Sequence, residues 1–185
     1  MKARTIIITL CMLACIMPAS AQNFSVSTNL SDWANLGTAN LEFSGAVARH
    51  ITLDASARVN PWIFHKGTAK QMQSRHQTYT LGMRWWPWNV FSGWWMSAGL
   101  QYQEYNHGGF SKPRTEEGDA AGMRLGAGWS LMLTPWMNLD LGLGFWGGYK
   151  WYTRYACPQC GKITSSGEKW FILPDRLTVA LMFTF

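Results

Sequence analysis

Beyond its first 21 residues the sequence has no apolar run approaching the ~18 residues of a membrane helix, so no segment is suited to cross a bilayer as a helix. Charged residues make up only 14% and include no block of lysine and arginine, which argues against nucleic acid as a partner. Cysteine is scarce, and two of the four (Cys11 and Cys15) fall inside the first 21 residues. There is no nucleophile elbow, no H-E-x-x-H and no second C-x-x-C. Ordinary α/β hydrolases, zinc proteases and four-cysteine zinc sites therefore lack their signatures.

What is abundant is aromatic: 12 Trp, 9 Phe and 6 Tyr, beside 18 Gly. Trp and Tyr collect where an apolar body and a polar edge are both wanted, as at membrane interfaces. The last nine residues show how these side chains are arranged. Leu177, Val179, Leu181, Phe183 and Phe185 fall on one face of an extended strand, and Thr178, Ala180, Met182 and Thr184 on the other. Bulky groups on one face up to a terminal aromatic suit a strand between lipid and a packed lumen.

The N-terminal end agrees. Lys2 and Arg4 precede a short apolar run, and Ala19-Ser20-Ala21 offers an A-x-A cleavage site before Gln22. Residues 1–21 are expected to be a secretory signal peptide, leaving 22–185 as one domain carrying about +4 of the chain's +6 charge. A lipoprotein signal at Met12-Leu13-Ala14-Cys15 is the weaker reading, because Met and Leu suit the lipobox poorly.

Reading for period two predicts eight strands, at 24–34, 39–48, 52–62, 75–86, 94–105, 121–133, 138–152 and 177–185. Several match the about 9–11 residues that cross a bilayer on a tilt. Connections near Arg49, Pro87 and Pro135 are short, whereas 63–74, 106–120 and 154–173 are long and polar. The expected fold is all-β: an eight-stranded antiparallel transmembrane β-barrel with short periplasmic turns and longer external loops, placed in a bacterial outer membrane. Its partners would be outer-membrane lipid and, through Phe185 as an assembly signal, the barrel-assembly machinery. A lipocalin-like barrel is the soluble alternative. It leaves unexplained the Trp cluster at the turns (Trp85, Trp86, Trp88, Trp94, Trp95, Trp136), which reads as a periplasmic aromatic girdle. Trp62, Trp146, Trp151 and Trp170 would lie nearer the external rim.

Thr28-Asn29-Leu30, Asn60-Pro61-Trp62 and Cys157-Pro158-Gln159-Cys160-Gly161 resemble an uncharacterised outer-membrane β-barrel family of Bacteroidetes. The resemblance spans nearly the whole of 22–185. It implies the barrel fold, no assigned reaction, and an association with surface fimbriae.

Opposite the apolar face lie Glu42, Asp54, Arg58, Arg84, Arg124 and Asp140. An eight-stranded barrel is just wide enough for side chains to fill, and buried charges must pair. These six are expected to form a lumen ion-pair network that closes the interior; a narrow gated pore is the alternative reading, and a catalytic acid pair the least favoured. Cys157 and Cys160 are expected to be a loop disulfide, with metal binding, redox chemistry and free thiols as alternatives. His65, His76, His107, Ser111 and Asp119 would place a lip-sited hydrolase in the external loops, but isolated His and Ser in polar loops are mostly solvated. The leading expectation is a non-catalytic structural or surface-interaction protein with no cofactor and no metal. It would meet a surface-protein partner through its external loops, as an accessory to an appendage such as fimbriae. A small gated channel comes second, and a lip-sited lipid or peptide hydrolase third.

Overall fold

The computed structural model describes residues 22–68, 71–109, 114–157 and 161–185. The elements are β1 (Phe24–Asn29), α1 (Leu30–Ala34), β2 (Ala39–Ala48), β3 (Ile51–Asn60), a two-residue β4 (Ile63–Phe64), β5 (Met72–Trp85), β6 (Gly93–Gly108), β7 (Thr115–Thr134), β8 (Met137–Tyr155) and β9 (Ile163–Thr184). Every pairing is antiparallel. Neighbour joins neighbour from β1 through β3, then β5 through β9, and β9 returns to β1, so eight strands make a ring. No helix among the described residues is long and apolar enough to cross a membrane.

The ring is apolar outside and polar within. Leu81, Met83, Met96, Leu100, Met123, Leu125, Leu143 and Phe145 are each more than half exposed, while Glu42, Thr52, Thr78, Arg84, Gln101, Asn138 and Asp140 are buried. Strand alternation alone produces this arrangement, because each odd–even pair sends one side chain to each face. Along β6 the outer face changes from Leu100 and Tyr102 to Glu104, and along β7 from Met123 to Asp119, which marks the upper limit of the apolar band.

The strands are unequal. β1 has 6 residues, whereas β7, β8 and β9 have 20, 19 and 22. Much of the polar sequence expected as long external loops is therefore ladder: Thr115 pairs with Tyr155, and Tyr155 with Ile163. What remains between β6 and β7 is 109–114, and between β8 and β9 156–162. Composition misread these segments because their ladders carry charged and hydroxyl residues such as Glu116, Arg154 and Ser165 at paired positions. Among the described residues, β9 above Leu177 has a ladder partner only in β8.

The first strand is also shorter than its alternation suggested. It stops at Asn29, and 30–34 form one helical turn with Asp32 turned inward. Asn40 explains the stop. Its Oδ1 accepts the Asn29 backbone N–H at 2.6 Å, and its Nδ2 donates to the Asn29 carbonyl at 2.9 Å, so a side chain takes both groups that would continue the β1–β2 ladder.

Between β7 and β8 the backbones approach closely at a pair of glycines. Gly122 and Gly148 face each other in register, and a Cβ built on Gly122 would lie 2.8 Å from the Gly148 Cα. Only glycine permits that approach.

Candidate functional site

The interior divides into three levels. At the end carrying the short turns, Trp86, Phe91, Trp95 and Met182 pack into an apolar cluster, each no more than 2% exposed. Trp86 and Phe91 meet edge to face at 5.9 Å, and the Phe91 carbonyl accepts hydrogen bonds from Asn138 Nδ2 at 2.6 Å and Ser130 Oγ at 3.3 Å. The β5–β6 turn is thereby folded inward as a stopper. Two tryptophans expected in the girdle, Trp86 and Trp95, belong to it. Each follows an outward neighbour (Trp85, Trp94), so alternation sends it inside. Trp146 is likewise internal, against Phe171 at 4.5 Å. Trp85, Trp88, Trp94 and Trp136 stay on the outside, together with Phe185.

Above the stopper sits a chain of ion pairs. Arg84 bonds Glu42, reaches Asp140 at 2.7 Å and Asp54 at 3.2 Å, and lies 4.7 Å from the Trp95 ring. Arg176 joins Glu42 at 2.7 Å and Asp32 at 3.5 Å. Asp175 bridges Arg58 at 3.2 Å and Arg124 at 3.3 Å, and accepts from Gln101 at 3.3 Å. The six charges picked from the sequence all lie in the interior: Glu42, Asp54 and Asp140 meet on Arg84, and Arg58 and Arg124 meet on Asp175, which with Arg176 and Asp32 makes three further members that alternation could not supply. Asp175 and Arg176 sit at a β-bulge, where the β8–β9 register shifts between Leu143 and Phe145. Both turn inward opposite Gly144, and a bulge re-aims side chains in just this way. Asp32 arrives on the helical turn. The only available signal was the Pro174-Asp175-Arg176 interruption preceding the last alternating run.

The third level lies beyond the apolar band. Asn60, His76, Tyr105, Gly118, Tyr152 and Gly167 form one continuous rung across six strands. All six line an open cavity of about 790 Å³. A cavity touching β3 through β9 lies on the concave side of the wall. One rung further out come Ser74, His107, Glu116, Arg154 and Ser165. Ser74 Oγ and His107 Nδ1 are 3.3 Å apart. Glu116 bonds Lys150 at 2.6 Å, Arg154 at 2.8 Å and Tyr105 at 2.9 Å. Burial pushes His107 down to about 4, helped by His76 and Lys150 and opposed by Glu116. Burial alone would raise the Glu116 carboxyl, but the hydrogen bonds from Lys150, Arg154 and Tyr105 outweigh it and hold it at about 2.

For a hydrolytic site these parts are incomplete. Ser74 is buried, and both Glu116 oxygens already accept bonds from other groups. Asp119 accepts from Tyr102, His65 sits in the 61–71 connection, and Ser111 lies outside the described residues. No three His, Cys, Asp or Glu among the described residues are grouped to hold a metal ion. Cys157 is disulfide-bonded, and Cys160 lies outside the described residues, as does the expected signal segment.

A family model described as "Protein of unknown function (DUF3575)" matches residues 6–185. The chain belongs to the DUF3575 family. No curated protein matches it. In this DUF3575 chain, then, the candidate site rests on geometry: a stoppered interior and an open polar cavity at the opposite mouth, lined by Tyr105 and Tyr152 among charged residues of both signs.

Proposed function

We propose that this DUF3575 chain is an eight-stranded transmembrane β-barrel of a bacterial outer membrane, sent there by residues 1–21 and inserted with Phe185 as its assembly signal. Its role is non-catalytic and non-conducting. It is a structural or surface-interaction protein that presents the tall β5–β9 hairpins to a partner outside the cell, as an accessory to a surface appendage. The apolar outer band supports the lipid-facing placement, since a closed antiparallel ring is one of the two backbone arrangements that span hydrocarbon.

One observation carries the non-conducting reading: the interior is filled twice over, by the Trp86–Phe91–Trp95–Met182 stopper and by the ion-pair chain centred on Arg84. Planar-bilayer recording of the purified protein tests it. Flat current traces across applied voltages are expected, and reproducible unitary steps would replace this reading with a channel.

A further inference from the structure

We infer that the cavity at the tall rim binds an acidic saccharide, a pyranose bearing a carboxylate or phosphate, with Tyr152 as its stacking platform and Lys169 as its principal charge partner.

Tyr152 has Gly118 on one side and Gly167 on the other, so neither neighbouring strand puts a side chain beside its ring. A Cβ on Gly167 would lie 3.4 Å from the Tyr152 hydroxyl oxygen. The ring therefore reaches sideways along the wall over β9 and lines the cavity, with the Arg154, Lys150 and Lys169 cations standing over it. Around the ring the wall is polar, with Asn60 and His76 on the far strands; the acids that also border the cavity, Glu104, Glu117 and Asp119, lie on the opposite parity to the rung, and Glu117 and Asp119 already accept from Asn106 and Tyr102. A flat apolar face within a polar surround suits a ligand of the same make-up. A pyranose has one, with C–H groups on a face and hydroxyls at the edge. The volume falls in the usual range for small-molecule sites, about 300–1,000 Å³.

Charge sets the class. Arg154 stands 4.7 Å from the Tyr152 ring, and the Lys150 and Lys169 ammonium groups stand 5.7 Å from it. Glu116 pairs with Lys150 and Arg154. Lys169 is exposed and has no carboxylate partner among the described residues. The rung just inside the cavity carries Arg58, Lys150 and Lys169 and no acid. An anionic group on the sugar would pair with Lys169 through a charge-assisted hydrogen bond while the ring packs on Tyr152.

The inference rests on the proposal that this rim faces away from the cell. The site itself is tested on folded, full-length mature protein in detergent micelles, where sidedness has no bearing. Protease accessibility of the rim hairpins on intact cells tests sidedness separately. Calorimetric titration would use digalacturonate, an unsaturated chondroitin disaccharide, glucose 6-phosphate, neutral digalactose and inorganic phosphate. Saturable binding of at least one acidic sugar is expected, at least about 10-fold tighter than digalactose, a difference of about 1.4 kcal/mol. Which acidic sugar binds separates carboxylate from phosphate ligands. Tyr152→Leu should weaken it about 10-fold or more and Lys169→Gln several-fold, while Glu168→Gln on the opposite face leaves it unchanged. Lys169→Gln changes an exposed side chain and keeps the test usable if Tyr152→Leu fails to fold. No binding of any acidic sugar, equal binding of digalactose, inorganic phosphate competing as well as the sugars, or indifference to Lys169→Gln would each overturn the assignment.

Discussion

Arg84 Nη1 on β5 lies 2.7 Å from Asp140 Oδ2 on β8, across the interior of the ring, and the same guanidinium also holds Glu42 and Asp54. Three carboxylates from three further strands converge on one cation. Removing that cation leaves them buried without it, which typically costs about 3–5 kcal/mol. Arg84→Ala should therefore lower the urea midpoint of the refolded protein sharply. Arg84→Lys, which keeps the charge but loses the planar fork, should fall between it and the parent. A parent-like midpoint for Arg84→Ala would mean that the chain of ion pairs does not hold the strands together.

The close approach of Gly122 and Gly148 makes a steric prediction. Gly148→Val places a branched side chain against the Ala121 and Gly122 backbone and should abolish the compact, faster-migrating band of unboiled protein on a gel. Gly167→Ala meets only the Tyr152 hydroxyl end at 3.4 Å and should keep it.

At the other end of the interior, Trp86→Ala removes a ring that is wholly buried, at a cost of about 3–5 kcal/mol. Conductance should nonetheless stay at zero, because the Arg84 level lies above it and remains filled. Planar-bilayer recording of the variant distinguishes one closed level from two.

His107 gives the rim a pH dependence of known sign. Its value in the fold, about 4, lies below the ordinary 6.5, so the unfolded chain binds more protons between those limits. The stabilisation is complete above about 6.5 and is lost as the pH falls toward 4. Glu116 adds a second loss at lower pH, from its ordinary 4.5 toward about 2. Amide exchange in the β6–β7 hairpin should accelerate between pH 6.5 and 4 relative to β2–β3, after correction for intrinsic rates. His107→Gln should remove the first of these steps.

The eight strands and the inside–outside assignment of residues such as Leu100 and Gln101 were legible in the sequence, because alternation encodes both at once. What escaped were places where the period breaks or where composition misleads. Asp175 and Arg176 share a face because of a bulge. Asp32 reaches the interior on a helical turn that begins where Asn40 ends a ladder. The stretch 163–169, with Thr164, Ser165, Ser166, Glu168 and Lys169, is strand although it reads as loop, because it pairs with β8 from Lys150 to Tyr155. The candidate cavity was illegible for a different reason. Its rung joins Asn60, His76, Tyr105, Gly118, Tyr152 and Gly167, and only the register of six strands makes them neighbours.

The lipid-facing band is the central claim, and collision accessibility of nitroxide labels tests it most directly. Labels would be placed one at a time at Leu81, Leu100, Met123 and Leu143 in the band, and at Glu104 and Asp119 beyond it, in protein reconstituted into vesicles. The account predicts that the four band labels collide with oxygen and are shielded from a water-soluble nickel chelate, with the reverse at Glu104 and Asp119. Chelate reaching Leu100 and Leu143 as readily as Glu104 would contradict it.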